Sequence, residues 1–428
     1  MWTEPTAKLK HVQFFSINAY RLMNGVKDKR GMIPVFVLLL IVGGYIWYTS
    51  TYPSPEGPLL VTIGVASPTG EEDDYEEIVQ AAERDVNAYC EEQDSRYRFQ
   101  FSVKYCDAQK SKALAVTREF KESGVSLVVG HSWSSMCEAS LQYVNENDVL
   151  LLSPASSSST LSLPGDNLYR LTPPDTVQGW MCSEMLASLG YEAVVVLQRG
   201  DAWADAIYGA LEKECADKGV EIIDRIRYGP EEQDYHTYLE RANRSLLMGV
   251  ETYGRGGVAV QLIGFSEAYV VLLQAQAYPA LMETVWFGTD GSSDTFMVVD
   301  DAGEPASKVG LIGAVVAPLG WVVEGVGAPS FFDAALYDCC WVYALSVLEA
   351  DGTSATDVVE VLPSVASEYR GVTGLCVLDE NGDREMVDFA LRGYSEASPG
   401  SYAFKEYGFY NSSTGQITWD DEIQELTG

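Results

Sequence analysis

Basic residues and histidines are scarce in this 428-residue chain. There are 28 Lys and Arg against 62 Asp and Glu, which gives a formal net charge of −34. Because contacts with phosphates depend on clustered Lys and Arg, this balance argues against nucleic acid as a partner and against docking on an anionic membrane surface. The three histidines, His11, His131 and His236, are too few and too dispersed for a His-rich metal site.

Complete catalytic and nucleotide-binding motifs are also absent. No G-x-x-x-x-G-K-[ST] segment occurs, so the sequence contains no phosphate-binding loop of that type. Two segments approach a serine nucleophile elbow, Gly130–Ser134 (GHSWS) and Gly264–Ala268 (GFSEA), but both lack the final glycine, and no histidine follows Ser266 as that hydrolase order requires. We therefore expect neither an enzyme nor a cofactor.

Eight cysteines are present, but no two of them form a C-x-x-C pair. This absence leaves zinc-ribbon and thioredoxin-type sites without support. The spacing is compatible both with buried free thiols and with disulfides in an extracytoplasmic protein.

One long hydrophobic run lies near the N-terminus. Residues Met32–Tyr48 carry no charge and, at about 1.5 Å per residue, would reach roughly 26 Å, slightly short of a hydrocarbon core of roughly 30 Å. Six basic and two acidic residues precede it, which predicts a cytoplasmic segment over residues 1–31. We expect an uncleaved signal anchor at residues 32–49 and a linker at residues 50–58, with a cleaved signal as the alternative. The protein would then be a single-pass protein of the cell membrane with its main part on the extracytoplasmic side.

Beyond the linker, short apolar runs alternate with amphipathic stretches. This pattern predicts βαβ units and parallel sheets, and the number of units favours two α/β lobes over one open sheet. A hairpin with a turn at Asn381-Gly382 is predicted from Val372–Leu378 and Met386–Arg392. The predicted strands are Leu59–Ala66, Phe99–Tyr105, Val125–Val129, Val149–Leu152, Ala193–Leu197, Glu221–Arg227, Val258–Ile263, Thr284–Phe287 and Leu311–Val316.

A series of short motifs follows this alternation in a fixed order. The motifs are Gly130–Ser135 (GHSWSS), Leu152–Ser158 (LSPASSS), Leu168–Asp175 (LYRLTPPD), Gln198–Trp203 (QRGDAW), Gly288–Gly291 (GTDG) and Tyr337-Asp338. The series resembles the amino-acid-binding motifs of the type I periplasmic-binding family, in particular the leucine/isoleucine/valine-binding receptors of ABC importers. The resemblance extends from about residue 60 to residue 419.

The resemblance implies two Rossmann-like lobes with parallel sheets, joined by three crossovers, with the ligand between them. The first lobe would consist of residues 59–174 and 318–386, and the second of residues 175–317 and 387–428. As a member of this family, the protein would capture an amino acid or related small zwitterion and deliver it to the permease and ATPase subunits of an ABC importer. A ligand-sensing ectodomain of the same fold, acting through a membrane partner, is the alternative.

The resemblance also implies roles for individual residues at the two charged ends of the ligand. Ser134 would donate its hydroxyl to the ligand α-carboxylate, assisted by backbone groups at Ala155 and Ser157. Asp290, from the second lobe, would pair with the ligand ammonium, and Asp175, at the first crossover, would support it. This division suits a zwitterion, because both of its charges lose water on entering a cleft and need fixed partners.

Further positions would contact the rest of the ligand. Trp203 stands where the family places an aromatic residue that closes over the ligand, while Glu71 and Ser266 would lie near its side chain. Ser266 replaces a tyrosine that is frequent in the branched-chain receptors, so the ligand need not resemble leucine. Cys106 matches a disulfide-bonded cysteine of the family, and a bridge to Cys137 is implied.

Overall fold

The computed structural model describes residues 57–68, 75–107, 109–317 and 330–423. The predicted signal anchor, almost all of the predicted linker, and Glu71 lie outside the described residues. From Leu60 onward, the described residues belong to one unit, which contains two separate larger sheets.

Residues 59–170 supply the first sheet, whose strand order is β2-β1-β3-β4-β5. The pairs β1–β3, β3–β4 and β4–β5 are parallel, and β3 and β4 are buried along their whole length because helices cover both faces of the sheet. The strands are β1 Leu59–Ser67, β2 Tyr97–Tyr105, β3 Leu127–Val129, β4 Leu150–Ser153 and β5 Leu168–Arg170.

Residues 193–316 and 389–419 supply the second sheet, in the order β15-β14-β13-β10-β9-β8-β6-β7. The strands β6, β7, β8, β9 and β10 are parallel to one another. Beyond β10, the strands β13, β14 and β15 extend the sheet with antiparallel pairing. The strands are β6 Ala193–Arg199, β7 Glu221–Tyr228, β8 Val258–Ile263, β9 Trp286–Gly288, β10 Ile312–Val316, β13 Phe389–Ser398, β14 Ser401–Asn411 and β15 Gln416–Trp419; a separate short pair is formed by β11 Arg370–Gly371 and β12 Gly374–Leu375.

Helices fill the connections and cover the faces of both sheets, as expected for βαβ units. On the first sheet, α1 and α11 form one buried layer, and α2 and α3 form the other. The helices are α1 Tyr75–Glu92, α2 Lys110–Glu122, α3 Ser134–Glu146, α4 Thr176–Ser188, α5 Ala202–Lys218, α6 His236–Tyr253, α7 Ala268–Ala275, α8 Pro279–Met282, α9 Asp290–Ser293, α10 Phe296–Lys308, α11 Phe331–Ala350, α12 Ala355–Val359 and α13 Leu362–Glu368.

Helix α11 is the one helix of the described residues that is long and apolar enough to span a membrane. Most of it is buried, and Leu336, Val342 and Tyr343 pack in the same cluster as Ile63 of the first sheet. Its apolar composition therefore has a structural explanation, since a helix that is hydrophobic on most sides is suited to a protein core.

The predicted hairpin around Asn381-Gly382 is wrong in its strands. The turn exists, with Leu378 and Arg384 forming an isolated antiparallel bridge. However, the segment after it enters β13, which pairs with β10 and β14 instead of with residues 372–378. The chain leaves the first lobe here, so the alternation after the turn belongs to the second sheet.

Helices α4 and α5 approach each other closely at Gly179. A Cβ atom on Gly179 would lie 2.3 Å from the carbonyl oxygen of Ile207 and 2.8 Å from the Cβ of Ala210. Gly209, on the exposed side of α5, has open space around it. The close approach therefore depends on glycine at only one of these two positions.

We predict opposite effects for alanine at the two glycines. Gly179→Ala should lower the free energy of unfolding by about 1–3 kcal/mol, because backbone atoms of α5 must move. Gly209→Ala should raise it by about 0.5–1 kcal/mol, because alanine loses less backbone entropy in a helix. Urea unfolding of both variants measures the difference. Equal effects would contradict the close packing of these helices.

Candidate functional site

The candidate ligand-binding residues lie after the carboxyl ends of parallel strands. Ser134 begins α3 after β3, and Ser157 follows β4. In the second lobe, Trp203 follows β6 and Asp290 follows β9. Because ligands of open α/β sheets bind in the crevice outside these strand ends, the topology accounts for residues distant in sequence facing a common region.

A cavity lies between the two lobes at this edge. Ser157 lines it from the first lobe, Asp175 and Gln178 from the first crossover and α4, and Asp290 from the second lobe. Phe332, at the start of α11, closes one side. The structure therefore brings Ser157, Asp175 and Asp290 together.

The Ser134 hydroxyl is oriented by the serine-rich loop that follows β4. Its Oγ accepts a hydrogen bond from the Ser156 hydroxyl at 3.0 Å and one from the Ser158 backbone N–H at 3.2 Å. A hydroxyl has two acceptor positions and one proton. With both acceptor positions used, the remaining capacity of Ser134 is to donate, which suits a carboxylate.

The serine-rich loop, defined here as residues 153–158, is itself held by Ser153 at the end of β4. The Ser153 hydroxyl donates to the His131 carbonyl oxygen at 2.6 Å and accepts from the Ser156 N–H at 3.0 Å. Ser156 is fully buried. The loop is therefore a fixed set of hydroxyl and N–H groups. The resemblance to the family implies a role at the ligand carboxylate for only two of its residues, Ala155 and Ser157.

Asp175 places a carboxylate in the cavity, where only 8% of the residue is exposed to solvent. Burial, and then the negative charge of Asp290, raise the pKa of Asp175 to about 7, although groups of Ser157 and Trp203 favour the ionised form. Asp175 begins α4 but makes no side-chain capping bond to it. Its carboxylate is therefore not needed as a helix cap.

Asp290 provides the second carboxylate and is held by α4. Its Oδ2 accepts from the Gln178 side-chain amide at 3.1 Å, and its Oδ1 accepts from the Gly291 N–H at 2.6 Å. Burial raises the pKa of Asp290 to about 6. No Lys or Arg is among the described residues lining the cavity. A ligand cation would therefore neutralise two carboxylates that line the same cavity.

Trp203 is half-buried and stacks on Phe265, with ring centroids 4.1 Å apart. The Arg199 guanidinium lies 4.9 Å from the Phe265 ring centroid. Ser266 lies in the same loop, where its carbonyl oxygen accepts from the Tyr269 N–H, but it does not line the described cavities. The aromatic group in this loop is thus Phe265, one position before Ser266.

A second, wider cavity shares Phe332 with the first. Ala155, Tyr75 and Trp133 line it, and the Tyr75 hydroxyl bonds to the Ser132 hydroxyl at 2.8 Å. Trp133 and Phe332 are 45% and 41% exposed. Ala155 therefore faces a space with aromatic walls that adjoins the two carboxylates.

The disulfide implied between Cys106 and Cys137 is absent, and both cysteines are buried free thiols. Each contacts a different part of the buried His131. Cys106 Sγ lies 3.7 Å from the ring Nδ1, whereas Cys137 Sγ donates to the backbone carbonyl oxygen at 3.0 Å. Burial lowers the pKa of His131 to about 4. The two thiols thus pack around a neutral imidazole instead of bonding to each other.

Gln178 and Phe332 contribute to the site but were not predicted. Gln178 follows Asp175 by three residues on α4, and this helical spacing could have indicated that the two side chains share a face. Phe332 lies outside every motif of the series, and no local pattern distinguishes it from its neighbour Phe331, which is buried.

Comparisons with known proteins agree with this architecture. The family model described as "Receptor family ligand binding region" matches residues 76–396. The chain is 25% identical over 370 residues to an uncharacterised protein of Methanocaldococcus jannaschii, covering 80% of this chain and 86% of that one. It is also 25% identical over 305 residues to the Leu/Ile/Val-binding protein of Escherichia coli K12, covering 68% and 78%.

Among solved structures, an ABC transporter substrate-binding protein from Desulfitobacterium hafniense in complex with Leu superposes with a TM-score of 0.62. The match covers 81% of this chain and 100% of that one at 20% identity. The predicted two-lobed α/β fold with parallel sheets is thereby confirmed.

The raised pKa of Asp175 predicts a pH-dependent stability of the ligand-free protein. The folded protein holds this proton more tightly than the unfolded chain, whose pKa is about 3.9, so stability is lost as the pH rises from about 4 to 7. Asp175→Asn should therefore increase the free energy of unfolding by about 1–3 kcal/mol at pH 8, with the gain vanishing near pH 4.

Urea unfolding at pH 8, 6 and 4 measures this effect. Asp201→Asn is the matched control, since Asp201 begins α5, accepts from the Ala204 N–H and pairs with Arg199. That variant loses an ion pair and should show no gain at pH 8. A less stable Asp175→Asn variant at pH 8 would contradict the buried, unneutralised carboxylate.

Proposed function

The chain belongs to the family of receptor ligand-binding regions. We propose that it captures an amino acid or a related small zwitterion in the cleft between its two lobes. Its named relatives are binding proteins, and in keeping with them the chain is a binding protein and not an enzyme.

The observation that carries the proposal is the presence of two buried carboxylates, Asp175 and Asp290, in the lining of one cavity whose described lining has no Lys or Arg. An ammonium group between them would remove their mutual repulsion and replace the water that burial has taken from them. Because Asp290 belongs to the second lobe and Asp175 to the crossover, a bound ammonium would also hold the lobes together.

The serine-rich loop supplies the complementary end. The remaining proton of Ser134, together with the Ser157 N–H of the loop, provides neutral donors suited to a carboxylate. A ligand that carries both an ammonium and a carboxylate can use both sets of groups at once, whereas a sugar or a simple amine cannot. An α-amino acid is the smallest common molecule with this arrangement.

The destination of the ligand is proposed from the relatives. The protein of Pseudomonas aeruginosa that is 22% identical over 303 residues is named for binding leucine, isoleucine, valine, threonine and alanine. Accordingly, we propose that this chain delivers an amino acid to the permease and ATPase subunits of an ABC importer. Residues 32–49 would tether it to the cell membrane as an uncleaved signal anchor, with the binding region on the extracytoplasmic side.

Substitutions at the two ends of the ligand should have different costs. Asp290→Asn keeps the shape of the side chain but removes its charge, and should weaken amino-acid binding by about 2–5 kcal/mol, or roughly thirty- to several-thousand-fold. Ser134→Ala should cost about 1–3 kcal/mol, because it leaves one polar contact unmade.

A thermal-shift screen of the twenty L-amino acids on the purified protein identifies the probe, and calorimetry then compares the variants. Asp301→Asn, on the exposed surface of α10, is the control and should bind like the parent protein. Unchanged affinity in Asp290→Asn, or binding of uncharged sugars alone, would refute the amino-acid proposal.

The membrane tether is tested by fractionation of expressing cells. The full chain should sediment with membranes and require detergent for release, because an uncleaved apolar helix stays in the bilayer. A version beginning at residue 57 should remain soluble. If the expressed full chain yields a mature product that starts near residue 50 and is free in the medium, the anchor is ruled out.

A further inference from the structure

Arg170 is a buried cation directly behind the serine-rich loop. Arg170 is the last residue of β5, and its side chain is 0% exposed. Nε and Nη2 donate to the two carboxylate oxygens of Asp383 at 2.5 and 2.6 Å. Nη1 donates to the carbonyl oxygens of Ser156 at 3.1 Å and Ser158 at 2.8 Å. Nη2 also donates to the Ser162 hydroxyl at 2.9 Å. The guanidinium therefore has one acidic partner, two backbone partners within the loop and one hydroxyl partner beyond it.

The first of these backbone contacts reaches the cavity through a single peptide group. The carbonyl of Ser156 and the N–H of Ser157 belong to the same planar unit, so fixing one fixes the direction of the other. Ser157 lines the cavity, and its N–H donates to no group among the described residues. A cation bonded to the carbonyl end also polarises the unit and makes its N–H a stronger donor.

We propose that Arg170 is a positioning residue of the ligand site, which holds and polarises the Ser156–Ser157 peptide group so that its N–H receives the carboxylate of the ligand. The inference rests on the proposed function, since it presumes a ligand with a carboxylate. Arg170 itself is not among the residues that line the cavity, so the contact that it offers the ligand passes through the backbone of the loop.

Asp383 holds Arg170 in this orientation. Its side chain is 1% exposed, and it accepts two hydrogen bonds from the guanidinium in a fork-like geometry. The backbones are joined as well, because the Arg170 N–H donates to Gly382 and the Arg170 carbonyl accepts from Arg384. The binding loop is thus tied to the turn from which the chain crosses to β13.

The chain offers a matched control in Arg384. Arg384 is also buried, with 1% of the residue exposed. Its guanidinium donates to the Leu171 and Leu375 carbonyls and to two oxygens of Thr373. None of these acceptors belongs to the serine-rich loop. Loss of either arginine removes a buried cation near the crossovers, but only loss of Arg170 frees the loop.

The first experiment needs no ligand. Hydrogen exchange by mass spectrometry on the full chain follows peptides that cover residues 153–162 in Arg170→Gln, Arg170→Lys and Arg384→Gln. We expect exchange in these peptides to rise by about tenfold or more in Arg170→Gln, less in Arg170→Lys, and to stay at the parent rate in Arg384→Gln. Parent rates in both Arg170 variants would overturn the proposal.

The second experiment tests the link to the carboxylate with L-leucine and L-leucinol, which differ in that group. The ratio of their affinities should fall by about tenfold or more in Arg170→Gln, recover in part in Arg170→Lys, and stay unchanged in Arg384→Gln. Equal losses for both probes in Arg170→Gln would mean a purely structural role and refute the inference. If Arg170→Gln does not fold, Arg170→Lys carries both comparisons.

Failure of the proposed function gives a different result. If no zwitterion binds the parent protein while the exchange results are as expected, Arg170 still positions the loop, but for another ligand chemistry than the one proposed. If L-leucine binds and the exchange rates do not respond, the amino-acid proposal stands and the positioning role is lost.

Discussion

Two carboxylates face one cavity at the junction of the lobes, and the electrostatic cost of this arrangement governs the site. Neither Asp175 nor Asp290 has a Lys or Arg beside it in the described lining of the cavity. Burial raises the pKa of both carboxyl groups, and the negative charge of Asp290 raises the pKa of Asp175 further. Buried carboxylates without a cationic partner destabilise the ligand-free protein, and binding of a cation would relieve that destabilisation and so contribute to affinity.

The opposite end of the site is neutral, and this asymmetry orients a ligand. The donors near Ser134 are hydroxyl and backbone groups, while the Arg170 guanidinium is paired with Asp383 and lies behind the loop. A carboxylate would thus meet dipoles that a buried cation reinforces from behind. Direct contact with arginine would bind anions more strongly, but it would favour any anion over a zwitterion.

The sequence permitted prediction of the repeating part of the fold better than of its exceptions. Apolar runs such as Ala193–Leu197 and Val258–Ile263 became central strands, because strands buried on both faces have a composition that local patterns reveal. The segment after Gly382 did not follow its local pattern, since its partner strands belong to the other lobe.

Site residues divide in a similar way. The motif positions Ser157, Asp175 and Asp290 line one cavity, and Phe332 lines it without any motif. The predicted residues Ser134, Trp203 and Ser266 are not among the residues that line it. The contact between Arg170 and Asp383 spans 213 positions, so no local signal could reveal it. The same holds for the cysteines, because whether Cys106 meets Cys137 or His131 depends on side-chain directions that the sequence does not specify.

The interleaving of the lobes has a consequence for the order in which the chain can fold during synthesis. The strands of the first sheet are complete at Arg170, but α11, which covers one apolar face of that sheet, begins only at Phe331. At elongation rates of about 5–20 residues per second, that face waits roughly 8–30 seconds for its cover. During this interval the chain adds β6 to β10 of the second sheet, whereas β13, β14 and β15 follow α11, so Ile63 and its neighbours keep part of their apolar surface uncovered while the second sheet is half made. Completion of the first lobe is thereby coupled to that of the second, as long-range contacts of this kind require.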